Sequence, residues 1–146
     1  MTVIIQYNAG NIQSVRYALA RIGAEATVTD DPRLIRSAER VIFPGVGEAS
    51  TAIAYLRERG LDKVIAELTQ PVLGICLGMQ LMCIHSEEND TTCLGIFDTA
   101  VKKFPAGGLK VPQIGWNRVE RDTEFLFTGM ASDPYCYFVH SYYAEL

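Results

Sequence analysis

Short apolar runs alternate with segments of helical periodicity from the first residues to about Ser86, and few folds other than a parallel sheet covered by helices accept that order. Val3 to Tyr7 reads as a buried strand. Asn11 then caps a helix in which Ile12, Val15, Leu19 and Ile22 recur near helical spacing before Gly23 stops it. Ala26 to Thr29 predicts a second strand, Asp30 or Asp31 with Pro32 opens a short helix, and Val41 to Phe43 predicts a third strand running into Pro44-Gly45-Val46-Gly47. Ile53 and Leu56 share one helical face. Beyond Gly60, Leu61, Val64, Ile65 and Leu68 keep the i, i+3, i+4, i+7 pattern, and Val72 to Ile75 predicts a fourth strand. Leu77, Leu81 and Ile84 form one stripe, so a helix reaching His85 follows that strand with no loop between. After Ser86, Leu94 to Phe97, Ala100 to Phe104, Val111 to Ile114 and Tyr135 to Val139 read as strands adding antiparallel pairs or an inserted sheet edge. The fold class is α/β, mostly parallel, with helices on both faces.

With 146 residues and 49% hydrophobic content the chain is sized for one domain, residues 1–146, whose folding buries roughly 68–70% of its surface without staples. The net charge of −4 and the lack of a basic cluster beyond Lys102-Lys103 argue against nucleic acid or an acidic membrane as partner. The start has no basic n-region. The apolar stretch from Val72 to Ile84 is broken by Gln80 and falls short of the about 18 residues that span a bilayer, so a cytoplasmic location is expected. Cys76, Cys83, Cys93 and Cys136 contain no Cys-x-x-Cys, and with His85 and His140 they make no zinc pattern. No Gly-x-Gly-x-x-Gly or Walker pattern follows the first strand, so no cofactor or metal is expected.

Gly74-Ile75-Cys76-Leu77-Gly78 lies between a predicted strand and a predicted helix, the layout of a nucleophile elbow. Small neighbours on both sides let a sharp strand-to-helix turn present the reactive atom at the carboxyl edge of the sheet. The helix start favours a thiolate over a thiol, and the Leu77 amide is placed to stabilise an oxyanion. Cys83, Cys93 and Cys136 lack this context and read as small apolar fillers. Gln80, one turn beyond Cys76, projects back toward the thiol, where it either holds a polar substrate or is an ordinary solvated helix former. Pro44-Gly45-Val46-Gly47 ends on the same sheet edge and offers a second oxyanion amide, or is a plain connector. His85, about 13 Å along the predicted helix, is too far to act as base and reads as a cap at the helix end. His140 ends a strand, and a bond to nearby backbone explains it as well as catalysis does.

The elbow Gly74-Ile-Cys-Leu-Gly-Met-Gln80, preceded by Pro71-Val-Leu, resembles the nucleophile motif of the class I, or triad, glutamine amidotransferases, whose sheet is flavodoxin-like. Asn8-Ala-Gly-Asn-Ile-Gln-Ser-Val15, Phe43-Pro-Gly-Val-Gly47, Gly115-Trp-Asn117 and Tyr137-Phe-Val-His-Ser-Tyr142 narrow the resemblance to the members that feed a (β/α)8-barrel cyclase in histidine biosynthesis. The resemblance implies that Cys76 attacks the side-chain amide of glutamine and forms a glutamyl thioester. It maps the oxyanion hole to the amides of Val46 and Leu77, and glutamine recognition to Gly47, Gln80 and the Ser141-Tyr142 backbone. It turns Trp116 and Asn117 toward the cyclase, the partner in a heterodimer, although Trp116 alone reads as packing.

The resemblance also implies a His-Pro-Glu motif that supplies the base and its orienting carboxylate, and this sequence contains none. The matching pattern runs out at Leu146. The chain therefore reads as incomplete at its C-terminus, with C-terminal strands missing, an exposed apolar sheet edge and weak or no glutaminase activity. Two other readings stay open: a catalytically silent homologue that docks or regulates, and a different cysteine-elbow hydrolase that uses His140 as its base.

Overall fold

The computed structural model describes residues 1–108, 110–120, 124–129 and 134–145. They form two compact units, Met1–Lys103 with the terminal residues from Tyr143, and Phe104–Tyr142.

In the first unit β1 (Thr2–Ile5), β2 (Ala26–Thr29), β3 (Arg40–Gly45) and β4 (Val72–Cys76) make a four-stranded sheet of order β2-β1-β3-β4, every pair parallel. The connections are α1 (Ile12–Arg21), α2 (Pro32–Ser37), and α3 (Ala49–Glu58) with α4 (Leu61–Ala66); α5 (Leu77–Leu81) follows β4 directly. The caps are those the side chains dictate. Asn11 accepts from the Ser14 amide at 3.1 Å and Asp31 from the Arg33 amide at 2.8 Å, each satisfying an orphan donor of a first turn. Gly23 takes a left-handed φ of 69° just past α1 and donates to the Ala20 carbonyl, a C-cap that needs glycine.

Period-two alternation sorts the sheet residues. Val3, Ile5, Val41 and Phe43 face a core completed by Ile35, Ile53, Leu56, Leu61, Ile65 and Leu81. The other face buries Ile4 and Ile42, but their neighbour in register, Leu73, is exposed, as is Ile75. Among the described residues β4 pairs in this sheet with β3 alone, so the expected apolar edge is present there. The stripe expected on α1 is half-buried at best, and Ile22 lies 76% exposed.

The helix after the elbow is shorter than the apolar stripe predicts. It ends at Leu81, and Cys83–Ser86 is a strand, β5. The reason lies in the carbonyls. A continuing helix offers the Leu81, Met82 and Cys83 carbonyls to amides four residues on, but here they accept from Leu94 at 2.9 Å, Ile96 at 2.8 Å and Gly95 at 2.8 Å. His85 is therefore a strand residue, not a helix cap. The same bonds make Leu94 to Ile96 a connector, correcting the strand expected there. With β6 (Thr91–Thr92), β7 (Phe97–Lys103) and β10 (Tyr142–Ala144), β5 forms a second sheet of order β10-β7-β5-β6, in which β5 and β7 run parallel and β5 and β6 antiparallel.

In the second unit β8 (Gln113–Arg118) and β9 (Tyr135–His140) form an antiparallel ribbon with Trp116 opposite Tyr137, and α6 spans Glu124–Phe127. Among the described residues no helix is long and apolar enough to cross a membrane.

Candidate active site

The first unit concentrates the chemistry at the carboxyl ends of β3 and β4. Cys76 closes β4 and is the N-cap of α5, with φ 53° and ψ −119°. A β-carbon at that φ is strained, and such strain in a non-glycine residue is characteristic of functional turns. The thiol is exposed while Leu77 and Gly78 behind it are buried. Two glycines permit this geometry. A β-carbon on Gly78 would collide with the Phe43 carbonyl of β3, and one on Gly74 would sit 2.6 Å from the Met79 α-carbon. The helix thus starts in backbone contact with the central strands.

The turn after β3 meets this elbow. Gly45 stands opposite Cys76 in the strand register, and a β-carbon there would strike the Gly78 nitrogen. Val46 follows, half exposed, then Gly47 with φ 112°. Cys76, Leu77, Val46, Gly47 and Gln80 therefore belong to one edge of one unit, as expected from parallel strands. Gln80 is buried, which corrects the reading of it as a solvated helix former.

Glu48, directly after that turn, caps α3. Its carboxylate accepts from the Ser50 amide at 2.8 Å, the Thr51 amide at 3.2 Å, the Ser50 hydroxyl, and Asn89 Nδ2 at 2.7 Å. Glu88 accepts from the Ala49 amide at 2.8 Å. Hydrogen bonding, first from the Ser50 hydroxyl and then from these amides, outweighs some desolvation and pulls the Glu48 carboxyl down to about 2. Because the folded value lies below the unfolded one, the stabilisation from this cap is complete above the ordinary carboxylate range and is lost as pH falls toward about 2. Between pH 5 and pH 2, Glu48→Gln is expected to flatten part of the acid limb of the thermal midpoint. Parallel limbs in both proteins would show that the cap is not titrating there.

Sequence reasoning missed Tyr7. Buried two residues past β1, it donates its hydroxyl to the Pro44 carbonyl at 2.7 Å, and its ring centroid lies 5.3 Å from that of Phe43. The apolar run hid it, since a tyrosine ending such a run reads as core.

The remaining candidates have local partners of their own. His85 Nε2 lies 2.8 Å from Asp90 Oδ1. In the second unit His140 Nδ1 donates to the Tyr142 carbonyl at 2.7 Å, the local backbone bond that its strand-end position allows, and its ring packs edge-on against Phe104. The Ser141 carbonyl accepts from the Phe104 amide at 3.0 Å. Burial raises the Cys83 thiol and, helped by the nearby Cys83, pushes Cys93 up to about 11, which suits inert fillers. Cys136 is exposed on β9, so the filler reading fails for it. Trp116 and Tyr137 stack edge to face at 5.5 Å on an exposed face shared with Ile114, Tyr135 and Val139, whereas Asn117 alternates to the other side. The sequence singled out the tryptophan; its four companions lay hidden in strand alternation.

The profile of the family described as "Glutamine amidotransferase class-I" matches residues 3–146. The chain belongs to that family. It is 56% identical to "Imidazole glycerol phosphate synthase subunit HisH" of Bacteroides fragilis (strain YCH46) over 98% of this chain and 74% of that protein. It is 44% identical to the protein of the same description from Shewanella loihica, over 99% of this chain and 69% of that one. Within the family it therefore belongs with the HisH subunits. A solved structure titled "Crystal structure of glutamine amidotransferase" superposes with a TM-score of 0.69 at 20% identity, covering 94% of this chain and 70% of the other, and shows the shared fold.

Proposed function

We propose that Cys76 is the nucleophile of a glutaminase reaction and that the ammonia released serves a cyclase subunit in imidazole glycerol phosphate synthesis. The observation that carries this reading is the position of an exposed, strained cysteine directly opposite Gly45. The thiolate adds to the carboxamide carbon of glutamine, and the amides of Leu77 and Val46 bind the oxyanion that develops. Collapse of the tetrahedral species, with a proton taken up from solvent by the departing nitrogen, expels ammonia and leaves a glutamyl thioester, which water hydrolyses to glutamate and the free thiol with return of that proton. Gly47 and Gln80 are the glutamine-recognising groups of the first unit in this reading. The exposed Trp116 face is the surface for the cyclase, an aromatic anchor of the kind that concentrates binding energy, and Asn117, on the opposite face of the ribbon, has no part in that anchor.

A general base contributes typically about 10²- to 10⁴-fold. These 146 residues contain no His-Pro-Glu, and His85 is occupied by Asp90. The polypeptide of this sequence is therefore expected to turn over glutamine, with the cyclase present, at least about 100-fold more slowly than a relative that carries the motif. Equal turnover overturns the expectation. The same missing motif favours a second reading, a docking or regulatory module without chemistry, in which Cys76 stays unlabelled by a glutamine analogue.

A further inference from the structure

Three contacts bracket the glycine turn opposite Cys76, and all come from the segment joining β1 to α1. The Tyr7 hydroxyl donates to the Pro44 carbonyl at 2.7 Å. Gly10, at φ 111°, packs so closely that a β-carbon on it would lie 3.2 Å from Pro44 Cγ and 3.3 Å from the Pro44 carbonyl oxygen. Asn8 Nδ2 donates to the Thr51 carbonyl at 3.3 Å, in the first turn of the helix that follows the glycine turn. Tyr7 thus fixes the peptide group between Pro44 and Gly45, and the next peptide group along carries the Val46 amide. A glycine separates the two, so the orientation of the second depends on how firmly the first is held.

We propose that Tyr7 is a positioning residue for acyl transfer at Cys76: its hydroxyl holds the Pro44 carbonyl and so keeps the Val46 amide aimed at the oxyanion. The inference rests on the reading of Cys76 as nucleophile and extends it to a residue with no part in the elbow itself. Tyr7 suits the role. Burial, and secondarily charge at the neighbouring Cys76, raise its phenol far above the ordinary tyrosine range, so it stays a protonated donor at any working pH. Its ring is held by Phe43, so the donor stays in one direction.

The test separates oxyanion stabilisation from thiol reactivity. The γ-4-nitrophenyl ester of glutamate acylates a thiolate with loss of 4-nitrophenolate: an S–C bond forms through a tetrahedral oxyanion, a C–O bond breaks, and the leaving group needs no proton. Iodoacetamide alkylates the same sulfur by displacing iodide, with no oxyanion. Both are followed at Cys76 by peptide mass spectrometry, because Cys136 is also exposed. In Tyr7→Phe, which keeps the ring and its packing, acylation is expected to slow about tenfold, below the about 10²- to 10³-fold of losing an oxyanion donor outright. Alkylation changes less than twofold and the melting midpoint moves by only a few degrees. Unchanged acylation, or acylation and alkylation slowed together, overturns the role. A parent chain that alkylates at Cys76 but is never acylated there overturns the nucleophile reading, and this role with it.

Discussion

Gly78→Ala is expected to cost about 3 kcal/mol or more, the upper end of the usual overpacking range, and to lower the melting midpoint by roughly 10 °C. The added carbon would collide with the Phe43 carbonyl, and beyond it lies the Pro44 backbone at 3.1 Å. No rotamer relieves this, because both partners are backbone and β3 is paired on each side. Either α5 must lift from the sheet or β3 must shift, and the second moves Gly45 from its place opposite Cys76. Acylation of Cys76 should therefore fall with stability. Gly23→Ala is the contrast: its φ of 69° is unfavourable for alanine, as that of Gly78 is not, but nothing lies within 4 Å of the added carbon, so only the conformational penalty of about 1 kcal/mol is expected. Equal losses at the two sites would mean that backbone contact at the elbow is not what Gly78 permits.

The same contact explains how much of the site was legible in the sequence. A glycine on each side of a cysteine, at the junction of an apolar run and a helical stripe, leaves few geometries, so Cys76, Leu77 and the turn at Gly45 to Gly47 were readable together. Parallel order was readable because each apolar run is followed by a helix-length return. The end of α5 was not. Leu81 and Ile84 share a stripe whether or not the helix continues, and what stops it is the capture of three carbonyls by Leu94, Gly95 and Ile96, a non-local event without local signature. Tyr7 was hidden for a related reason. Its hydroxyl acts on Pro44, 37 residues away, and nothing around Tyr7 marks it as more than the end of a strand. The ribbon face of Trp116 was half legible: one tryptophan draws notice, whereas Ile114, Tyr135, Tyr137 and Val139 join it only once the register with β9 is known.

Cys76→Gly should remove the chemistry and stabilise the fold, a pairing that few residues other than a strained nucleophile produce. At φ 53° and ψ −119° the β-carbon of Cys76 costs on the order of 1–3 kcal/mol, which glycine does not incur. Against this stands the greater freedom of glycine in the unfolded chain, about 0.5–1 kcal/mol, so the net expectation is a gain of about 1 kcal/mol over the parent. Cys76→Ala keeps the strained β-carbon and should melt close to the parent. Both variants lose acylation by at least about 10³-fold, since losing a covalent nucleophile removes a route rather than a contact. Alkylation at Cys136, which is exposed and which neither change touches, is the internal reference for the reagent. If the glycine variant melts below the alanine variant, the elbow is not strained and its conformation needs another cause. If acylation survives in either, the nucleophile lies elsewhere, and the exposed Cys136 is the next thiol to replace.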